Sequence, residues 1–140
     1  AIYRRDTDKL QKLLEKFLIE SISSFDTADE AFYQGLMVGL CAVVNDRYYL
    51  RSNRESGLGR FDIQLEPRMK ELPGFILELK SQKEATDLNS LAGKALHQIN
   101  EKRYEAEMRS RGIDRIVKIG VAFSGKQVAV ASEQNTGGPL

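Results

Sequence analysis

The sequence has few of the residues that support thiol, imidazole or disulfide chemistry. Among its 140 residues there is one cysteine, Cys41, and one histidine, His97. This count excludes an internal disulfide and a zinc site built from cysteine and histidine ligands. We expect Cys41 to be a small core residue, because it lies inside an apolar helix-like run, and a lone cysteine favours a reducing, cytoplasmic location. Any metal that this chain binds must be held by oxygen ligands.

Long apolar runs and a strong net charge are also missing. The longest apolar stretch, Gly35 to Val44, falls far short of the roughly 20 residues that a membrane-spanning helix needs, so we expect a soluble protein with no membrane partner. The net charge is only +1, and composition alone therefore does not indicate a nucleic-acid partner. The chain begins with Ala1 rather than Met and ends in the segment from Ser132 to Leu140, which we interpret as a domain taken from a larger protein.

Hydrophobic periodicity predicts a mixed α/β domain with the element order α-α-β-β-β-α-β-β. The predicted helices cover residues 7–24, 27–44 and 86–111, and the predicted strands cover residues 47–52, 60–66, 75–80, 116–123 and 127–131. The first three strands should form an antiparallel meander because their links are too short for crossover helices, and the strand after the long helix should run parallel to the third. We expect one domain over residues 1–132 and a flexible tail over residues 133–140.

The segment from Arg60 to Lys80 concentrates the charged residues that carry chemistry. Asp62 lies in the first of two short predicted strands, and Glu78 and Lys80 interrupt the second, which is otherwise apolar. Because side chains alternate along a strand, Glu78 and Lys80 leave the same face, and the three groups converge if the strands are neighbours. Carboxylates suit Mg²⁺ or Mn²⁺, and the carbonyl of Leu79 is a further candidate ligand. The alternative is that Glu78 and Lys80 lie on a solvent-exposed strand face and pair with each other. An isolated Glu-x-Lys sequence usually has this structure.

Five segments resemble the PD-(D/E)XK nuclease superfamily, in particular the nuclease-like domains found behind an AAA-ATPase-like domain in bacterial proteins. These segments are Glu30 to Leu36, Arg51 to Asp62, Gly74 to Lys80, Ala95 to Ile99 and Ile119 to Lys126. The resemblance covers nearly the whole chain. It implies a restriction-endonuclease-like α-β-β-β-α-β core with an extra N-terminal helix, an extra C-terminal strand and a central mixed sheet flanked by helices. It also implies an AAA-ATPase-like domain in the full-length protein.

The same resemblance implies a Mg²⁺-dependent nuclease that acts on nucleic acid, with DNA as the favoured substrate. Carried over by motif, Asp62 and Glu78 look like the metal ligands and Lys80 like the catalytic lysine. Glu30 looks like a helical acid that assists metal binding, and Gln98 like a helix residue that reaches the site. The segment first singled out by its charges is thus also the centre of the implied active site.

Several residues around this centre have a second interpretation. Glu30 completes a Thr27-x-x-Glu30 capping box, in which the acid binds the first amides of its own helix. Arg54 and Arg60 bracket a glycine-bearing loop and are predicted phosphate contacts, with Glu55 as an additional acid. Their alternative is a solvated loop with a weak ion pair.

The long predicted helix departs from the related Gln-x-x-x-Tyr pattern. Lys102 stands four residues after Gln98, and Tyr104 follows two residues later. At 100° per residue, His97 and Tyr104 both point away from the apolar stripe of this helix, so we expect His97 at the surface and assign no role to Tyr104.

Two other functions remain open at this point. The near-neutral charge favours a non-catalytic nucleic-acid- or protein-binding module of the same fold within a larger ATPase-like protein. A weaker hypothesis is a domain that acts on a different phosphate-bearing ligand. The complete set of Asp62, Glu78 and Lys80 favours the enzyme, because a binding module has no need of it.

Overall fold

The computed structural model describes residues 2–23, 30–44, 46–55, 60–69, 72–81, 87–101, 104–124 and 127–136. Within these ranges, the side chains of residues 2–8, 21–23, 30–34, 53–55, 60, 61, 81 and 134–136 lie outside the description. The elements follow in the order α1 (Ile2–Ser23), α2 (Glu30–Val44), β1 (Tyr48–Glu55), β2 (Arg60–Pro67), β3 (Gly74–Ser81), α3 (Leu88–Glu101), α4 (Tyr104–Ser110), β4 (Arg115–Ser124) and β5 (Gln127–Thr136). This order contains the predicted α-β-β-β-α-β core, with α1 and β5 added at its ends.

The five strands form one mixed sheet in the order β1-β2-β3-β4-β5. β3 and β4 are parallel, and the other three neighbouring pairs are antiparallel. The short links between β1, β2 and β3 allow only antiparallel pairing, whereas the helices between β3 and β4 supply the crossover that a parallel pair requires. The predicted meander and the predicted parallel strand are both confirmed.

The two faces of the sheet differ in chemistry. One face packs against α1 and α2 and forms the larger apolar core, which includes Leu14, Leu40, Ile63, Leu77 and Val121. The opposite face packs against α3 and α4 with a smaller apolar cluster. We call this second face the polar face, because it carries six buried polar or charged residues, which are Asp62, Gln64, Glu66, Glu78, Lys80 and Lys118.

α2 packs closely against α1, as its glycines indicate. A Cβ atom added to Gly39 would lie 2.7 Å from the ring of Phe17 in α1, so a larger residue at this position would collide with the ring. The core side of α2 is formed by Leu36, Leu40 and Val44. Cys41 is exposed, so its predicted core position is wrong. Cys41 lies 100° around the helix from Leu40, which faces the core. Among the described helices, none has the length and apolarity that a membrane span requires.

Two strand ends differ from the predictions. Within the helix predicted over residues 86–111, the structure gives α3 and α4, and residues 102 and 103 between them lie outside the described residues. β1 continues to Glu55, because polar residues of the predicted loop pair with β2. β5 continues to Thr136 by pairing with Arg115 at the start of β4, and it therefore includes the first four residues of the predicted tail. Residues 137–140 of that tail lie outside the described residues.

Candidate active site

Asp62 and Glu78 are direct partners across the polar face. They are opposite each other in the register of β2 and β3, and only 3% and 2% of their surfaces are exposed. Residues directly opposite in an antiparallel pair have Cβ atoms about 5 Å apart. Two carboxylates at this separation and depth repel each other and favour any positive charge that lies between them. The strand adjacency predicted from the sequence is confirmed.

Lys80 lies on the same face, two residues after Glu78 along β3. It is 8% exposed and stands opposite Arg60 in the register. Its ammonium group is therefore held in the same buried, charged layer as the two carboxylates. The structure brings Asp62, Glu78 and Lys80 together as neighbours on two adjacent strands.

A glycine lets α3 lie directly against this layer. Gly120 of β4 is the register partner of Glu78. A Cβ atom added to Gly120 would lie 2.4 Å from the carbonyl oxygen of Ala92 and 2.6 Å from the amide nitrogen of Leu96, which are backbone atoms of α3. Any other residue would push the helix away from the strand that neighbours Glu78. Gly120 thus sets the distance between α3 and the site.

Gln98 lies on α3 and is half-buried. Its side-chain oxygen, Oε1, is buried and accepts no hydrogen bond from the part of the chain that the structure describes. Buried polar atoms without a hydrogen-bond partner are costly and uncommon in native structures, so each one needs an explanation. The role of Gln98 at the site stays a prediction.

Tyr104 reaches the site, although the sequence analysis assigned it no role. Its hydroxyl group donates a hydrogen bond of 3.2 Å to Oδ2 of Asp62. The prediction used one helical phase over residues 86–111, and that phase does not place Tyr104, the first described residue of α4, at the site. In the sequence, the only indication of this contact was the residue type. A tyrosine has an apolar ring and a polar hydroxyl group, and the hydroxyl group usually has a hydrogen-bond partner when the ring is buried.

The remaining predicted site residues are only partly described. The side chain of Leu79 is buried in the core behind the sheet, while its carbonyl lies in β3 between Glu78 and Lys80. Arg60, Arg54 and Glu55 lie in β2 and β1, where Arg60 pairs with Glu55 and Arg54 pairs with Phe61. Glu30 is the first residue of α2. The side chains of these four charged residues lie outside the described residues, as does Thr27 of the capping box, so their roles stay predictions.

The donor set at this face suits a hard divalent cation. Mg²⁺ is typically bound through one or two carboxylates, with water and substrate phosphate completing its shell. Asp62 and Glu78 supply the two carboxylates, and the unsatisfied Oε1 of Gln98 is a further hard donor on the helix that covers this face. Within the described residues, no group of three or more histidine, cysteine, aspartate or glutamate side chains is close enough to hold a metal ion by itself. The residues present therefore fit Mg²⁺ or Mn²⁺ better than a metal that needs a complete protein cage.

α4 is attached to the polar face by a buried ion pair. Lys118 of β4 is 2% exposed, and its Nζ atom lies 2.6 Å from Oε1 of Glu105 in α4. Burial by itself would raise the pKa of Glu105, but hydrogen bonds and positive charges from Lys118 and Arg109 outweigh it and lower that pKa. Arg111, just after α4, forms a second ion pair with Glu66 of β2. These contacts fix the helix that presents Tyr104.

A separate groove of about 440 Å³ lies elsewhere on the molecule. Its lining residues are Lys9, Leu10, Leu13, Arg47, Met69 and Leu72. None of them belongs to the polar face, and Leu10 and Leu72 pack against the core on the α1 and α2 side. The groove is therefore not part of the candidate site.

One of two comparisons with known proteins found a match. No curated protein sequence matches the chain. The sequence model of one family matches residues 28–133, which include the helix α2, all five strands up to Glu133 and both helices over the polar face. By this match, the chain belongs to the PD-(D/E)XK nuclease superfamily.

Proposed function

We propose that this domain is a divalent-metal-dependent nuclease that hydrolyses phosphodiester bonds, with DNA as its substrate. The observation that carries the proposal is the placement of Asp62, Glu78 and Lys80 on one face of two paired strands, in a chain of this superfamily. A bound Mg²⁺ or Mn²⁺ supplies Lewis-acid stabilisation of the charge that develops on the phosphate. Asp62 and Glu78 would hold the ion, and Gln98 and the carbonyl of Leu79 would be the additional donors.

Lys80 has a different task from the carboxylates. Its ammonium group donates hydrogen bonds to the attacking water and to a phosphate oxygen, and it orients the first while it stabilises negative charge on the second. Burial strengthens this interaction, because charges in a site with little water are screened less. Arg54 and Arg60 contact the phosphates that flank the scissile bond, since guanidinium groups bind phosphate oxygens in pairs.

Tyr104 acts on the orientation of Asp62. Its hydrogen bond to Oδ2 restrains the rotation of the Asp62 carboxylate, which would hold the ion. Contacts of this kind around a metal ligand are worth about 10-fold to 100-fold in metal affinity or activity when they are removed.

A non-catalytic binding module is the competing function, and one observation favours it. Asp62, Glu78 and Lys80 are each less than one tenth exposed. A substrate phosphate must reach these groups for hydrolysis, whereas a binding module needs no such access. Cleavage therefore decides between the two functions.

The test is a cleavage assay on purified domain. Supercoiled plasmid, linear duplex, single-stranded DNA and RNA are incubated with Mg²⁺, with Mn²⁺ or with a chelator. We expect cleavage of DNA that requires the metal and stops with the chelator. Binding of DNA without cleavage under every metal condition would support the binding module instead.

A further inference from the structure

Lys118 is a buried lysine that the proposed chemistry does not use. It lies on the polar face in β4, two residues before Gly120, and is 2% exposed. Its Nζ atom contacts Oδ1 of Asn100 at 2.5 Å, Oε1 of Glu105 at 2.6 Å and Oε1 of Glu133 at 3.6 Å. An ammonium group in such a position is stable only when it is paired and hydrogen-bonded. Lys118 thus joins three separate elements, which are α3, α4 and β5.

A buried ion pair of this kind is a poor device for stability alone. Replacing both partners by apolar residues of similar volume is often neutral or stabilising, and fixing one particular arrangement of the chain is the best-attested use of such a pair. The arrangement fixed here is that of the described helix α4, which carries both Glu105 and Tyr104. Most of the stability of a helix in a protein comes from its packing against the rest of the domain, so the position of α4 depends on such contacts.

The contact made by Lys118 is next to the residue that touches the site. Glu105 directly follows Tyr104 in the first turn of α4, and the Tyr104 hydroxyl group lies 3.2 Å from Oδ2 of Asp62. On one side of this turn the carboxylate of Glu105 is attached to β4 through Lys118. On the other side the phenol is attached to β2 through Asp62. Arg109 also binds Glu105 within α4, at 2.8 Å, so the carboxylate is held from both directions.

We propose that Lys118 is a positioning residue: through Glu105 it holds the first turn of α4 so that Tyr104 keeps its hydrogen bond to Asp62. This inference rests on the proposed function, because the orientation of Asp62 matters for a bound divalent cation. Lys118 contacts neither the ion nor the substrate. Its effect on the orientation of Asp62 is transmitted through Glu105 and Tyr104.

The test is a double-substitution cycle read by Mn²⁺ affinity in calorimetric titrations. Lys118→Met keeps the length of the side chain and removes the charge, and Tyr104→Phe removes only the hydroxyl group. We expect each to weaken Mn²⁺ binding by about 10-fold, and the double variant to be no weaker than either single one, because both remove the same contact. Glu105→Gln should act in the same direction.

The controls separate positioning from a loss of stability. Leu14→Ala lowers stability from the opposite face of the sheet, and it should leave Mn²⁺ affinity unchanged. If Lys118→Met lowers the melting temperature as Leu14→Ala does but leaves Mn²⁺ affinity unchanged, Lys118 is only structural and the inference is wrong. Independent, additive losses in the cycle would overturn it as well.

If the wild-type domain binds no Mn²⁺, the proposed function is contradicted. The link from Lys118 through Glu105 to Tyr104 is then tested separately. In that case the wild type, Lys118→Met, Tyr104→Phe and the double variant are compared by urea unfolding without metal. The link from Lys118 to Tyr104 then predicts that the two losses of stability are not additive. Additive losses would show that the two residues do not act together.

Discussion

Lys80→Ala should reduce kcat for DNA cleavage by about 10²-fold to 10⁴-fold, the range expected when a group that assists proton transfer or stabilises charge is removed. The substitution should not weaken metal binding. Lys80 is not a ligand, and removing a buried positive charge beside Asp62 and Glu78 lowers the repulsion that an incoming cation meets. The measurement is single-turnover cleavage at saturating Mn²⁺.

The matched control for this prediction is Lys16→Ala. Lys16 lies on α1, on the other side of the sheet, and its side chain is 72% exposed in a surface pair with Glu20. The Lys16→Ala variant should cleave DNA as the wild type does, because an exposed ion pair contributes little to stability. Cleavage that persists unchanged in Lys80→Ala would point to a contaminating nuclease and would remove the basis of the assignment.

Gly120→Ala should lower the free energy of unfolding by roughly 3 kcal/mol, near the upper end of the usual cost of overpacking. The added methyl group would lie 2.4 Å from the carbonyl oxygen of Ala92 and 2.6 Å from the amide nitrogen of Leu96. Both are backbone atoms, so a change of rotamer cannot relieve the collision. α3 must move away from β4 and carry Gln98 with it, so cleavage should fall as well.

Gly93→Ala is the control for that substitution, because it lies on the same helix in open space. No atom lies within 4 Å of a Cβ atom placed at Gly93, and alanine favours a helix over glycine by about 1 kcal/mol. Gly93→Ala should therefore stabilise the domain in the same urea unfolding experiment. An equal effect of the two substitutions would mean that α3 does not lie against Gly120.

The sheet and its order could be predicted from the sequence because each strand has a strong local signal. Ile63 and Leu65 alternate with polar residues in β2, while β3 and β4 are nearly continuous apolar runs. Link lengths then decide between parallel and antiparallel pairing. The ends of β1 and β5 were less predictable, because the residues concerned are polar and their strand conformation depends on the partner strand.

The centre of the candidate site could be predicted for a similar local reason. Alternation along a strand places Glu78 and Lys80 on one face, and a neighbouring strand brings Asp62 to the same layer. Tyr104 could not be placed in this way. Its position depends on tertiary contacts of α4, among them an ion pair between Glu105 and Lys118, which lie on different elements.

Lys118 is a single lysine in the otherwise apolar strand β4, and the sequence analysis assigned it no role. The packing of three elements around it, α3, α4 and β5, shows how its charge is paired in a buried position. Cys41 differs from its prediction, since an apolar run predicted burial and the helix turned the residue outward. Both placements come from tertiary packing, which periodicity along one segment does not contain.

The most direct test of the central claim is a calorimetric titration of Mn²⁺ into the wild type, Asp62→Asn, Glu78→Gln and Lys80→Ala. If Asp62 and Glu78 hold the ion, the wild type and Lys80→Ala bind Mn²⁺, and the two carboxylate variants lose measurable binding. Equal binding by all four proteins, or none by the wild type, would contradict the claim that this face of the sheet is a metal-dependent nuclease site.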